Sequence, residues 1–253
     1  MIAVERQQAI LDLLDKDQTI QVVDLVALFD VSEMTIRRDL DMLERKGLLR
    51  RVHGGAVSNR GRSYEPPFML RSSANVEAKE RIGKAAADLV RNGDSIMLDV
   101  GTTTREVARN LKDHQNLTVI TPCFQIAALL VDHPGIRLIL TGGILRRGEL
   151  SLIGHLAERA IQDFFVDKLF MGVGGVDLKE GFTEFNLEDT LVKQAMLRQA
   201  KDVTVVADSS KFGHVALNAI APLQAADRII TDTGIQEEIA EEIEATGVDL
   251  LVV

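Results

Sequence analysis

From residue 76 onward the chain alternates helical periodicity with short aliphatic runs, and each internal run stops at a glycine, an aspartate or a threonine. The runs are SIMLDV (95–100), LTVI (117–120), RLIL (137–140), KLFMGV (168–173), VTVVA (203–207), RII (228–230) and LLVV (250–253). Near-continuous apolar runs of this length suit strands covered on both faces. Helices are predicted between them at 79–90, 103–111, 123–131, 187–200 and 236–245. Strands that alternate with helices build βαβ crossovers, whose helices supply that double cover. The expected fold is therefore α/β, a doubly wound, mainly parallel sheet over residues 76–253.

Residues 1–57 follow another pattern. A helix is predicted over 4–15, with Ile10, Leu11, Leu13 and Leu14 as its apolar face. Residues 19–21 read as extended, 22–29 as a second helix, and Asp30-Val31 as a turn. Ser32 is a natural N-cap for a third helix, because its hydroxyl can accept from a free backbone N–H. Ile36, Leu40 and Leu43 recur at i, i+4 and i+7 and define its buried stripe. Gly47 ends that helix; residues 48–52 form a short strand and His53-Gly54-Gly55 a tight turn. Three helices and a basic hairpin describe a winged helix-turn-helix, an N-terminal α+β domain. The buried stripe turns the polar residues of the third helix outward, where side chains reach bases and phosphates. The candidate DNA contacts are Ser32, Thr35, Arg37 and Arg38 on the helix, with Arg50, Arg51 and His53 in the wing on the backbone. Arg37 has a competing partner in Glu33, one turn earlier.

The chain of 253 residues has a net charge of −9, which alone argues against nucleic acid. The distribution reverses that argument. Residues 37–62 hold eight basic and three acidic side chains, and residues 49–63 hold no acid at all. A basic footprint on an otherwise acidic chain fits a DNA-binding module joined to a different domain, and a solvated charged surface is the competing reading. Residues 58–75 read as a linker, with Pro66-Pro67 and no sustained periodicity. Within it Phe68, Met69 and Leu70 can dock on either domain. The single Cys123 excludes an internal disulfide framework, and the five histidines lack metal-ligand spacing, so no cofactor or metal is expected. No apolar run approaches a membrane span and no leader pattern opens the chain, so a cytoplasmic protein is expected.

In open α/β sheets ligands bind beyond the carboxyl ends of the strands, where the glycines and polar residues of this chain collect. Asp99-Val100-Gly101-Thr102-Thr103-Thr104 runs from a strand through a glycine to three hydroxyls at a helix start. Backbone N–H groups, hydroxyls and the helix dipole there suit a phosphate, and plain helix capping is the competing reading. It is not a Walker A loop, because no Gly-Lys-Thr follows. Lys211, in Asp208-Ser209-Ser210-Lys211-Phe212-Gly213, stands just past another strand end, where a point charge can neutralise a phosphate. Gly142 and Gly143, and Gly174, are glycines at further strand ends that admit a ligand or serve turns. Glu184, Glu188 and Lys193 reach this pocket or lie on an exposed helix face. No spacing of Asp99, Asp177 and Glu184 demands acid–base chemistry, and no catalytic residue is assigned.

With VSEMTIRRDLDMLERKGLLRRVHGGA (31–56), DVGTTT, LTGGILR, GVGGVD and ADSSKFG in place, the chain resembles the DeoR family of bacterial transcriptional regulators over nearly its full length. The resemblance implies a DNA reader joined to a sensor domain similar to sugar-phosphate isomerases. It implies repression of a carbohydrate operon and response to a phosphorylated sugar or related metabolite, with Asp99, Gly101, Thr102, Thr103 and Lys211 on the effector. Val100 and Pro122 depart from the family's usual Ser and Asn, at positions expected to face the pocket mouth. Most acids of the isomerases' Asp-Gly-Ala-Asp-Glu run are absent from Gly172-Val173-Gly174-Gly175-Val176-Asp177, which favours binding without turnover. Expected partners are an operator duplex, the phosphorylated effector and further copies of the chain, as a dimer or tetramer reading repeated half-sites. The competing readings are a sugar-phosphate isomerase or hydrolase with an appended DNA-binding head, and a protein-binding winged helix.

Overall fold

The structure is a computed structural model that describes residues 2–17, 19–58 and 61–253. It divides into two compact units, Met1–Tyr64 and Glu65–Val253. Asn59 and Arg60 of the expected linker lie outside the described residues.

The first unit runs α1 (Ala3–Asp17), β1 (Thr19–Gln21), α2 (Val22–Phe29), α3 (Glu33–Arg45), β2 (Arg50–Val52) and β3 (Gly55–Val57). Its core joins Ile10, Leu11 and Leu14 of α1, Val22 and Leu25 of α2, and Ile36, Leu40 and Leu43 of α3. Ser32 caps α3 as expected: its Oγ accepts from the Thr35 N–H at 3.2 Å. Gly47 follows α3 at φ 72°. The strands form an antiparallel sheet in the order β1-β3-β2, so the extended entry at Thr19 completes the wing's hairpin.

The second unit opens with α4 (Phe68–Ser73) and α5 (Val76–Ala87), then β4 (Ser95–Leu98), α6 (Thr102–Arg109), β5 (Leu117–Thr121), α7 (Phe124–Leu130) and β6 (Ile136–Leu140). A hairpin follows, β7 (Ile144–Arg146) and β8 (Ser151–Ile153), then α8 (His155–Gln162) and β9 (Val166–Met171). Next come β10 (Gly175–Asp177), β11 (Gly181–Glu184), α9 (Leu187–Leu197), β12 (Ala200–Val206), β13 (Asn218–Ala221), β14 (Arg228–Thr231), α10 (Glu237–Ala245) and β15 (Asp249–Val252). Seven strands form a parallel sheet in the order β15-β14-β12-β9-β4-β5-β6.

Side chains alternate across this sheet into two cores. Ile96 and Leu98 of β4 pack with Ile82 of α5, Val107 of α6 and Ile126 of α7. Met97 joins the other layer, with Ile161 of α8 and Val192 and Met196 of α9. All seven expected strands are present. The β7–β8 hairpin, α8 and the small antiparallel sheet β10-β11-β13 carry no comparable sequence signal. Their strands span only three or four residues, and α8 buries just Ala157 and Ile161.

The segment after Tyr64 is part of the second unit. Phe68 is 6% exposed, beneath the guanidinium groups of Arg71 and Arg105, whereas Met69 is 78% exposed. The strand order also fixes where a ligand enters. From β4 the chain steps to β5 and β6 on one side, then returns to β9 on the other side of β4. The carboxyl ends of β4 and β9 flank that reversal, and such a reversal opens a crevice.

Candidate functional site

The crevice encloses about 460 Å³, its open mouth included. Its floor is the loop from β4 into α6. Gly101 is the N-cap of α6, at φ 156° and ψ 161°, and no side chain caps the helix. Thr102 and Thr103, the first two residues of α6, line the cleft. Uncapped N–H groups and the positive end of the helix dipole make this a natural seat for an anion. The Thr104 hydroxyl is spent locally, donating to the Gly101 carbonyl at 3.0 Å. Opposite, Gly174 gives room for a tight wall: a Cβ there would come within 2.9 Å of the Phe185 ring and 3.1 Å of Glu184 Oε1.

Three cations line the cleft: Arg71, Lys79 and Lys211. Lys211 ends a single turn of 3-10 helix, Ser209–Lys211, which Asp208 caps by accepting from the Ser210 N–H at 3.2 Å. Lys79, on α5, donates to the carbonyls of Arg71 at 2.5 Å and Ala74 at 2.7 Å, and lies 3.9 Å from Asp208. Burial pushes the Lys79 ammonium down to about 8, with Asp208 opposing the shift and Lys211 adding to it. Burial acts to raise the Asp208 carboxyl, but Lys211 and Lys79 hold it below the usual carboxylate range. Arg71 donates to Glu149, to Glu65 at 3.1 Å and to the Pro66 carbonyl at 2.9 Å. Burial disfavours the Arg71 charge, and the Glu149 and Glu65 carboxylates more than restore it.

Behind the β4–β9 wall lies a buried ion cluster. Lys193 of α9 is 1% exposed. Its Nζ donates to Asp99 Oδ2 and to the Gly172 carbonyl at 2.9 Å, and stands 3.3 Å from Glu184 Oε2. Asp99 Oδ2 also accepts from the Gly172 N–H at 3.0 Å, so one carboxylate ties β4 to the end of β9. Burial lifts the Asp99 carboxyl to about 6 against the pull of Lys193. Burial acts to lower Lys193, and Asp99 and Glu184 outweigh it, so the ammonium stays charged. Glu184 Oε1 accepts from the Phe185 N–H at 2.8 Å while the carboxylate lines the cleft.

In the first unit, α3 carries the outward face. Arg6 and Gln7 of α1 hold the buried Asp39 of α3 at 2.6 Å and 2.9 Å, which fixes the helix beneath that face. Arg37 donates to Glu33 at 2.8 Å and 2.5 Å. In the wing Arg51 pairs with Asp41, and its N–H donates to Glu44 at 2.7 Å. Arg50 and His53 are exposed. Arg38 is exposed and carries no hydrogen bond or ion pair among the described residues.

Both units match known domains. The DeoR-like helix-turn-helix domain matches residues 6–62, and the DeoR C terminal sensor domain matches residues 74–233. The chain belongs to the DeoR family. It is a transcriptional regulator with a DNA-binding helix-turn-helix domain, and it is not an enzyme. The uncharacterized HTH-type transcriptional regulator YulB of Bacillus subtilis is 39% identical over 96% of this chain and 94% of its own. The HTH-type transcriptional regulator GolR of Listeria innocua is 36% identical over 98% of this chain and 97% of its own. The glycerol-3-phosphate regulon repressor of Escherichia coli is 33% identical over 92% of each chain. Among solved structures, ribose 5-phosphate isomerase A of Methanocaldococcus jannaschii covers 55% of each chain at 20% identity and a TM-score of 0.42, too distant to bear on function.

For this DeoR-family regulator, the residues singled out in sequence divide into three groups. Gly101, Thr102, Thr103, Gly174, Glu184 and Lys211 line one cleft. Asp99, Thr104 and Lys193 lie behind its wall, in contact with its backbone. Gly142 and Gly143 lie at the end of β6, outside the residues lining the cleft. A Cβ on Gly143 would meet the Ile153 carbonyl at 2.7 Å, so this glycine serves the entry into the β7–β8 hairpin. Val100 lines the cleft and Pro122 does not; the Pro122 carbonyl accepts from the Leu152 N–H at 2.7 Å. Asp177 accepts from the N–H groups of Lys179 and Glu180, a turn role.

Sequence reasoning missed Arg71 and Lys79. Arg71 sits in a segment read as linker, and Lys79 on a helix that looked like plain sheet cover. The Pro66-Pro67 pair ahead of a short apolar segment was the one available signal for α4.

Proposed function

We propose that this regulator represses a carbohydrate-metabolism operon and that a small phosphorylated sugar, bound in the cleft between β4 and β9, modulates its hold on the operator. The observation that carries the reading is the uncapped start of α6 at Gly101, facing a cleft that Lys79, Lys211 and Arg71 also line. The phosphate sits on the Gly101–Thr103 amides with Lys211 and Lys79 beside it, because charge-assisted bonds to helix N–H groups and ammonium groups favour a dianion. Glu184 accepts from a sugar hydroxyl, as carboxylate oxygens do. Asp99 and Lys193 hold the β4 and β9 ends in register beneath the ligand.

On the DNA side, α3 enters the major groove with Thr35 and Arg38 toward base edges. Arg50, Arg51 and His53 lie along phosphates, and Ser32 and Arg37 flank the contact. The unit is small, so copies of the chain pair to read repeated half-sites in the cytoplasm. Effector and operator are coupled only if the effector binds the DNA-competent arrangement and its alternative with different affinity.

A thermal-shift screen tests the effector assignment. Triose, pentose and hexose phosphates are compared with their unphosphorylated parents. One phosphorylated sugar should raise the melting temperature while its parent does not. Equal responses to both would remove the phosphate from the account.

A further inference from the structure

Met34 is 79% exposed, although its length and apolarity suit it to a core. The buried face of α3 is Ile36, Asp39, Leu40 and Leu43. At 100° per residue, the stripe directly opposite that face is Met34, Arg38, Asp41 and Arg45, spaced i, i+4, i+7 and i+11. Two of the charges near this stripe are already engaged: Asp41 by Arg51 of the wing and Arg37 by Glu33. Arg45 lies in the last turn, and its Nε donates to the Asp41 carbonyl at 3.2 Å. At the N-terminal end, where recognition helices meet base edges, Met34 and Arg38 are left one above the other. Met34, a flexible thioether with no core role, and a guanidinium with no partner among the described residues face outward together.

We propose that Met34 is a specificity-determining residue, which packs on the 5-methyl group of a thymine in each half-site while Arg38 takes the neighbouring base edge. In the major groove thymine differs from the other bases by that methyl, which is read by apolar contact and not by hydrogen bonds. The rest of the stripe, Arg38, Asp41 and Arg45, is charged, and an exposed methionine adapts to an apolar contact without strain. The inference rests on the proposed placement of α3 in the groove.

The test uses the full-length protein. A duplex site is first selected from a random-sequence pool with wild-type protein at fixed salt. Each thymine of the selected site is then replaced by deoxyuridine, which removes only the methyl group. Wild type should lose about three- to fivefold in affinity at one position per half-site, the effect expected for one buried methyl. Met34→Ala should bind the thymine and uracil sites equally, at the wild-type uracil level, and Met34→Leu should restore most of the discrimination. A wild-type protein indifferent to uracil throughout, or a Met34→Ala variant that still discriminates, overturns the proposal. Arg38→Ala is run alongside. If it too binds as wild type, the placement of α3 is wrong; if it weakens binding while Met34→Ala keeps the discrimination, only the Met34 inference fails. Far-UV circular dichroism confirms that each variant is folded before its binding is scored.

Discussion

On α3, Met34 and Arg38 stand in solvent above a helix whose other face is locked into an apolar core, whereas Lys79 at the cleft and Lys193 behind its wall are buried and satisfied by carbonyls and carboxylates of the chain itself. The first arrangement leaves its charge for a partner that brings its own anions, and water supports that charge until the partner arrives. The second must support its cations in the absence of ligand, because an unpaired buried charge is costly. The same residue types therefore have different consequences when removed. On α3 a deletion should show in binding and leave folding alone. Beneath the cleft it should show in folding first.

The largest expected effect follows from that contrast. Lys193→Met leaves Asp99 and Glu184 facing each other at the ends of β4 and β9, and it should cost about 3–5 kcal/mol of stability, the range for breaking a buried pair from one side. Urea unfolding of the variant measures it. A loss below about 1 kcal/mol would mean that the cluster does not behave as a buried one.

Arg38→Ala should come next, with about 1–3 kcal/mol lost from operator affinity if the guanidinium reads a base edge, and with unchanged unfolding. Arg37→Ala is its internal control. The Arg37–Glu33 pair is exposed and joins residues one turn apart, so losing it should change stability by no more than about 0.5 kcal/mol. A gel-shift titration in which Arg37→Ala is the more damaging of the two would reverse the assignment of roles on α3.

A subtler effect is a pH dependence confined to the cleft. The free Lys79 ammonium titrates near 8, and an anion binds the protonated form better. Sugar-phosphate affinity should therefore hold from pH 6.5 to 7, where the phosphate is mainly a dianion, and fall as pH rises through 8. By pH 9 only about a tenth of the free protein carries the charge, so apparent affinity should drop by up to about tenfold. Lys79→Met should flatten that part of the profile. Calorimetry from pH 6.5 to 9 is the measurement, and an unchanged wild-type affinity across the range would contradict a Lys79 that titrates near 8 against the anion.

The two regions also differ in how well the sequence announced them. The α3 face is built from consecutive residues, so Ser32 as cap, the Ile36–Leu40–Leu43 stripe and Gly47 as terminator place it from local sequence alone. The Arg37–Glu33 pair was foreseeable for the same reason, since i,i+4 neighbours are fixed by helix geometry. The cleft is assembled across long separations. Lys193 meets Asp99 from 94 residues away, and its helix reads as amphipathic with a polar outer face. Only the topology, which returns the chain to β9 beside β4, turns that lysine inward. The placement of Gly101, Gly174 and Lys211 around one cleft was legible because glycines and a helix start mark strand ends locally. Gly142 and Gly143 carried the same mark and lie outside the residues lining that cleft, ahead of a short hairpin with no periodicity of its own.

The measurement that bears most directly on the account is release of the operator by the effector. Full-length wild type and Lys211→Ala are each bound to the selected duplex and titrated with the phosphorylated sugar found by thermal shift. The two proteins should bind DNA alike without sugar. Wild type should change its operator affinity as the sugar is added, and Lys211→Ala should require at least tenfold more sugar for the same change. Equal response of the two proteins at the same sugar concentration would contradict the claim that the cleft at the ends of β4 and β9 is the input to the DNA-reading unit.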